Sequence, residues 1–250
     1  MNAAASEPVS TAEPSNAFYD YTYTLASDIR LRCDGRTALL IVDMQYHDAS
    51  ASGGFNVAIE RARPGSLNYY NERVETTVVP TIVRLLDFFR RRELPVVFLT
   101  LGSDHLDYRD FPTRSRSMIL DLERESGVEG IMWSGSPGFQ IRHELAPRAH
   151  EPVVVKRSAG AFSSSEIDSV LKELGIETLV VVGVTTSCCV ESTAREAVDR
   201  GYGCVLVDDG TAEYDAQAHA GTLRTFHANF GRAVKGANDV MTAMKEGSDL

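Results

Sequence analysis

Three apolar runs in this 250-residue chain lead into residues able to do chemistry. Asp43 follows Thr37–Val42 (TALLIV), Lys156 follows Pro152–Val155 (PVVV), and the adjacent Cys188 and Cys189 close the stretch TLVVVGVTTSCC. A cysteine is a strong nucleophile only as its thiolate. A neighbouring lysine ammonium favours that form by direct charge, and the free N–H groups at a helix start add to it. A carboxylate within reach can take the thiol proton and later hand it to a leaving group. The same helix start can offer backbone N–H groups to an oxyanion. Each residue alone also has a plain reading. A cysteine near a strand end is commonly a small core residue, the reading given to Cys33 and Cys204. An aspartate there is often a turn or cap residue, the reading given to Asp208 and Asp209.

Asp43, Lys156 and Cys189 are far apart in sequence, so only a fold could join them. The apolar runs Thr37–Val42, Pro95–Leu101, Pro152–Val155, Thr178–Val182 and Cys204–Val207 read as strands buried on both faces. Helical patterns lie between them. Val78, Val79, Ile82, Leu85, Leu86 and Phe89 recur at helical spacing. Ser164–Leu174 opens with serine caps and stops at Gly175, and Ser187–Arg200 stops at Gly201. Buried strands alternating with helices imply a parallel sheet covered on both faces. Such sheets bind ligands beyond the carboxyl ends of their strands, where all three residues stand. The segment 102–150, rich in Arg, Asp, Gly, Ser and Pro, is expected to form long loops over one end of the sheet. Residues 1–16, rich in Ala, Ser, Glu and Pro, read as a disordered tail. Residues 17–250 read as one domain, with Phe18, Tyr19, Tyr21 and Tyr23 available to pack on a neighbouring surface.

Composition removes several function classes. The chain is 43% apolar and 24% charged, ordinary for a globular protein. Its net charge is −10, without the basic patch that nucleic acid requires. No apolar run approaches the ~20 residues of a membrane span, and the N-terminus lacks the layout of a secretory signal. Four cysteines without a C-x-x-C pair fit a reduced, cytoplasmic protein and argue against a cysteine zinc site. No phosphate-binding glycine loop and no Gly-x-Ser-x-Gly elbow occurs. His105, His143, His150, His219 and His227 show no metal-ligand spacing, and Arg109, Arg114 and Arg116 read as a solvated loop.

The stretch Gly183-Val184-Thr185-Thr186-Ser187-Cys188-Cys189-Val190, followed by Thr193, Arg195 and Ala197, resembles the isochorismatase-like cysteine hydrolases. Their pattern is Gly-x-x-Thr-x-x-Cys-Val and a helix bearing Thr-x-Arg-x-Ala. Leu40–Gln45 matches the family's apolar strand ending in Asp-x-Gln, and Val155–Phe162 its lysine followed by a small-residue loop and an aromatic. The match spans roughly residues 36–235. It is similar to the amidohydrolase branch that includes ureidoacrylate, biuret and N-carbamoylsarcosine amidohydrolases. The resemblance implies a three-layer α/β/α sandwich with a central six-stranded parallel sheet. It implies a catalytic triad of Asp43, Lys156 and Cys189, and a cis peptide between Val184 and Thr185. It also implies an oxyanion hole from the N–H groups of Thr185 and Cys189, and a homo-oligomer, dimer or tetramer. Gln45, His47 and Phe162 are the candidate substrate contacts.

The departures also inform. Where many members continue Asn-Asp-Phe, this chain has Tyr46-His47-Asp48, which puts Asp48 in the place of a pocket phenylalanine. Residues 50–72 contain no histidine, unlike the zinc-binding nicotinamidases, so neither metal nor cofactor is expected. A cysteine at the nucleophile position argues against an isochorismatase proper. The function expected is cleavage of a C–N bond in a small amide or ureido compound through a thioester. The alternatives are a hydrolase of a larger cyclic amide or lactam, and a thiol redox protein using Cys188 and Cys189, which a strained vicinal disulfide disfavours. Successive residues of an α-helix point ~100° apart. Both are therefore not expected to face the pocket, and the resemblance, whose motif sets the cysteine three residues after the threonine, implies that Cys189 does so, with Cys188 in packing or in the pocket wall.

Overall fold

The computed structural model describes residues 28–250. The expected tail at 1–16 and the aromatics Phe18, Tyr19, Tyr21 and Tyr23 lie outside the described residues.

Every residue of β1 (Thr37–Val42) is buried. Successive side chains of a strand point to opposite faces, and β1 divides accordingly. Leu39 and Ile41 join one core, and Ala38, Leu40 and Val42 join another. The fully buried β4 (Thr178–Val184) lies beside it. The remaining strands are β2 (Val96–Leu101), β3 (Val153–Lys156), β5 (Gly203–Ala212) and β6 (Arg232–Val234). All pairings are parallel, in the order β3-β2-β1-β4-β5-β6. The order reverses between β1 and β4. In open α/β sheets that reversal opens a crevice at the carboxyl ends of the strands.

Helices cover both faces, giving the three-layer sandwich. On one side, α3 (Val79–Arg91) buries Val79, Ile82, Leu85, Leu86 and Phe89, the stripe legible in the sequence. It follows α1 (Gly54–Ala62), α2 (Asn68–Arg73) and a π-helical turn at Val74–Val78. It shares this core with α8 (Ala237–Glu246). On the other side lie α5 (Ile167–Glu173), α6 (Glu191–Val198) and α7 (Ala216–Asn229). Helix α5 starts later than the serine signal suggests because those serines serve the turn before it. Ser164 and Ser165 donate to the carbonyls of Gly160 and Ala161. No helix among the described residues is long and apolar enough to cross a membrane.

The segment 102–150 is not all loop. It carries the 14-residue α4 (Thr113–Ser126) and two short 3-10 turns. Only Ile119 and Leu122 of α4 are buried, so its sequence lacks the apolar stripe that marks a helix. With Phe55, Phe111 and Met132, these residues form a third, smaller core. Cys204 is buried as expected, but Cys33 is exposed, its thiol donating to the carbonyl of Met244 at 3.3 Å.

At the end of β4, Gly183 stands in register with Val42 with φ at +120°. A Cβ there would lie 2.0 Å from the Val42 carbonyl oxygen, so both backbone conformation and close approach require glycine. Gly183→Ala is expected to cost more than about 3 kcal/mol or prevent folding. Gly175→Ala, also at positive φ but with nothing within 4 Å, should cost about 1 kcal/mol. Urea melts of the two variants check the difference.

Candidate active site

Asp43, Lys156 and Cys189 meet in the crevice. The Lys156 ammonium lies 2.8 Å from Asp43 Oδ2 and donates to Cys189 Sγ at 3.2 Å and to the Ser158 carbonyl at 2.9 Å. Asp43 and Lys156 are fully buried and Cys189 is 5% exposed. The Asp43 contact is an ion pair by distance, because neither carboxylate oxygen has a well-aligned hydrogen bond.

Local structure explains why these side chains converge. Asp43 turns out of β1 at φ +52°, a left-handed conformation that aspartate tolerates, and its N–H donates to the Leu99 carbonyl. Lys156 is the last residue of β3, paired with Leu101 of β2. The loop after it is pinned by α6. The Ala161 N–H donates to Thr193 Oγ1 and the Phe162 N–H to Glu196 Oε2, at 3.3 and 2.8 Å. After β4 comes a cis bond between Val184 and Thr185, then a π-helical turn at Thr186–Val190. Glu213 accepts from both the N–H and the hydroxyl of Ser187, at 2.7 and 2.6 Å. Thr186 Oγ1 meets His219 Nδ1 at 2.8 Å, and His219 Nε2 lies 2.8 Å from Asp208, itself paired with Arg73. Asp208 therefore has the structural role read from sequence, and so has Asp209, which accepts from the Ala237 N–H at the start of α8.

Burial raises the Asp43 carboxyl above its ordinary range, while the Lys156 charge and the nearby thiol pull it back. Burial would push the Lys156 ammonium down, but Asp43 and Cys189 outweigh it and hold the group above its usual value. The Cys188 thiol and burial hold Cys189 well above the ordinary thiol range, against the pull of Lys156. The hydrogen bond with Cys189 brings Cys188 down to about 7. The cluster thus holds a charged ammonium beside a neutral thiol, with the Asp43 carboxyl 2.8 Å from the ammonium. A carboxylate with a raised pKa is a competent acceptor for that thiol's proton.

Beside the cluster is a cavity of about 220 Å³. Thr185, Cys188 and Cys189 line it, together with Ser158 and Ala159 from the loop after β3. Leu101, Phe55, Phe111, Ile119 and Met132 form its apolar wall. Cys188 is exposed and shares the cavity with Cys189. Cys189 therefore does not face the cavity alone: Cys188 stands in the cavity wall, one of the two places expected for it, on a π-helical turn in which the Val190 N–H reaches back five residues to Thr185. None of Gln45, His47 and Phe162 lines this cavity. Gln45 ties two loops together, donating to the Phe139 carbonyl and accepting from the Leu101 N–H, both at 2.7 Å. His47 is buried against the Leu101 carbonyl, and burial lowers its pKa to about 4. Phe162 packs on Tyr202 with the Arg200 guanidinium over its ring. Arg109, Arg114 and Arg116 also lie off the cavity wall.

The site roles of Thr193, Glu196, Glu213 and His219 emerge only in the structure: the first three hold backbone N–H groups, and His219 holds the Thr186 hydroxyl. Thr193 lies within the Thr-x-Arg-x-Ala motif, the one available signal. Among the described residues no group of three His, Cys, Asp or Glu side chains is arranged to hold a metal.

A doubly wound parallel sheet holding a buried thiol, ammonium and carboxyl at its switch point defines a class: an α/β protein with a cysteine centre. The chain belongs to the isochorismatase family, whose isochorismatase domain matches residues 37–238. It is 30% identical over 202 residues to the ureidoacrylate amidohydrolase RutB of Pseudomonas syringae pv. syringae strain B728a, covering 77% of this chain and 78% of that protein. The homologous amidohydrolase of Pantoea ananatis is 25% identical over 236 residues, 90% of each chain. The crystal structure of a cysteine hydrolase from Pseudomonas syringae pv. phaseolicola 1448A superposes with a TM-score of 0.72 at 22% identity, over 90% of this chain and 100% of that one.

One cavity residue costs stability. Asp48 is buried on the wall, and burial, followed by the charge of Asp43, raises its carboxyl to about 7. A carboxyl raised on folding contributes stability below its unfolded pKa of about 4 and loses it as pH rises through the folded value. Asp48→Asn is therefore expected to leave stability unchanged below pH 4 and to raise it by a few kcal/mol above pH 7. Thermal melts across that window check the sign.

Proposed function

We propose that this chain is a cysteine-dependent amidohydrolase that cleaves the C–N bond of a small amide or ureido compound through a thioester. Its family and its amidohydrolase relatives support the hydrolysis of such bonds. The observation that carries the cysteine mechanism is the Lys156 ammonium shared between Asp43 and Cys189.

In the proposed course Asp43 takes the Cys189 proton while Lys156 stabilises the thiolate. The sulfur attacks the substrate carbonyl, whose oxygen gathers negative charge beside the N–H groups of Thr185 and Cys189. The C–N bond breaks as Asp43 returns its proton to the departing nitrogen, which leaves as ammonia or an amine. Water, losing a proton to Asp43, then attacks the thioester, and the thiol is regenerated as the acid leaves. The proton count closes over the cycle, and no redox partner or cofactor is required. Cys188 is the rival nucleophile on one specific observation: it is exposed in the same cavity and its thiol is drawn down to about 7. It lacks the direct hydrogen bond from Lys156 that Cys189 has.

Ammonia release over a panel of carbamoyl, ureido and maleamate-like amides tests the reaction. Cys189→Ser should lower kcat by at least ~10³-fold, and Asp43→Asn by ~10²–10⁴-fold. Cys188→Ala should keep most turnover. Lys156→Ala should slow alkylation by iodoacetamide and shift its pH dependence upward. Intact-mass spectrometry with a slow substrate should show one adduct, which peptide mapping puts on Cys189. An adduct on Cys188 would overturn the assignment.

Dialysis against a chelator should leave activity unchanged, since the zinc-binding relatives' histidine is absent from 50–72. A loss restored by zinc would contradict this.

A further inference from the structure

The amidohydrolase reading leaves open what the substrate carries besides its amide, and the charges on the cavity wall bear on that. Asp48 is 5% exposed and lines the cavity. Its backbone carbonyl is taken from behind, accepting from Asn56 Nδ2 at 2.9 Å and from the Tyr70 hydroxyl at 3.0 Å. What the residue has left for the cavity is its side chain, and Oδ1 has no hydrogen-bond partner. A buried carboxylate oxygen without a partner is costly unless something else completes it.

The cations nearby do not complete it. Lys156 is held between Asp43, Cys189 and the Ser158 carbonyl. Arg157, the one cation among the described residues of the cavity wall, is turned to other partners. Its Nε lies 3.2 Å from Asp110 and one terminal nitrogen 2.6 Å from Asp104, while the other donates to the Gly102 carbonyl. Two carboxylates therefore neutralise it. Among the described residues the wall offers an unpaired carboxylate and no free cation.

We infer that Asp48 is a specificity-determining residue: its carboxylate receives an N–H-bearing group at the far end of the substrate, favouring an amine-terminated amide or urea over its carboxylate-terminated counterpart. The inference rests on the amidohydrolase reading for its turnover, but the charge selection belongs to the cavity itself. Oδ1 is sealed behind the wall, so a terminal ammonium would donate to the other carboxylate oxygen and meet opposite charge in a low-dielectric site. A terminal carboxylate would meet like charge, with Arg157 already neutralised. The partly apolar wall then packs the alkyl chain between the two ends.

The test uses one matched pair, 3-ureidopropylamine and 3-ureidopropionate, with wild type and Asp48→Asn at about pH 8.5, where a carboxyl raised to about 7 is ionised and the amine is still protonated. In wild type the amine-terminated urea should show at least tenfold higher kcat/KM, expressed in KM. In Asp48→Asn that preference should fall several-fold toward unity. A merely structural role would lower both substrates alike and leave their ratio unchanged. A second readout does not need turnover: the concentration of each compound that protects the cavity cysteines from iodoacetamide. The amine should protect wild type at lower concentration than the carboxylate, and the gap should close in Asp48→Asn. If neither compound is hydrolysed, the amidohydrolase reading is set against this pair while protection still reads the charge preference. Equal protection by the two compounds, protection by neither, a wild-type preference for the carboxylate, or an unchanged preference in Asp48→Asn would overturn the inference.

Discussion

A fully buried ammonium is the constraint around which the crevice is arranged. Removing a charged group from water costs several kcal/mol even after the protein relaxes. Lys156 meets that cost with a carboxylate at 2.8 Å, a thiol sulfur at 3.2 Å and a carbonyl at 2.9 Å, each from a different part of the chain. Those three partners must be delivered together. β1 delivers Asp43, the turn after β4 delivers Cys189, and the loop after β3 delivers the Ser158 carbonyl. The strand order sets β1 beside both β2 and β4, with β3 beyond β2, so one long lysine side chain can span the gap to β1.

Holding the backbone is the second requirement, and most of the polar network serves it. The loop carrying Ser158 approaches α6 so closely that a Cβ at Gly160 would come within 2.6 Å of the Glu196 carboxylate. That same carboxylate accepts from the Phe162 N–H. On the other side Glu213 and His219 fix Ser187 and Thr186, the residues between the cis bond and the two cysteines. Catalytic geometry depends on such supports, because a reacting group displaced by an ångström loses much of its advantage. His219 reaches Asp208 and Arg73 in turn, linking the turn after β4 to α2.

What was legible in the sequence follows from what each element buries. TALLIV and the stripe of α3 sit in cores on both sides of the sheet, so continuous or periodic apolar residues mark them. Helix α4 buries only Ile119 and Leu122, and β6 has three residues, so neither leaves a periodic signal. Asp43 and Lys156 were legible because they stand at strand ends, and Cys189 because it follows the fully buried β4, although β3 is an edge strand with Val153 exposed rather than buried on both faces. Gln45 and Phe162 belong to the motifs around Asp43 and Lys156, and His47 lies close to Asp43 in sequence. Alternation and turn geometry instead send them into loop ties and the core. Glu213 and His219 left no signal because their partners are fixed only in three dimensions.

Two adjacent cysteines border the cavity, Cys188 exposed and Cys189 buried, and each thiol changes the other's titration. The hydrogen bond between them favours charge on Cys188, and the ammonium 3.2 Å away favours it on Cys189. In the resting cluster the first effect leaves Cys189 neutral, which suits a site where an uncompensated buried thiolate would be costly. In the proposed reaction, a substrate carbonyl seated against the backbone N–H groups makes charge transfer from Cys189 productive. The ammonium is already in position to stabilise it. Asp48 faces the same cavity with no countercharge of its own. A donor-bearing substrate would therefore complete the site at both ends, satisfying the carboxylate at one and drawing the thiol toward reaction at the other.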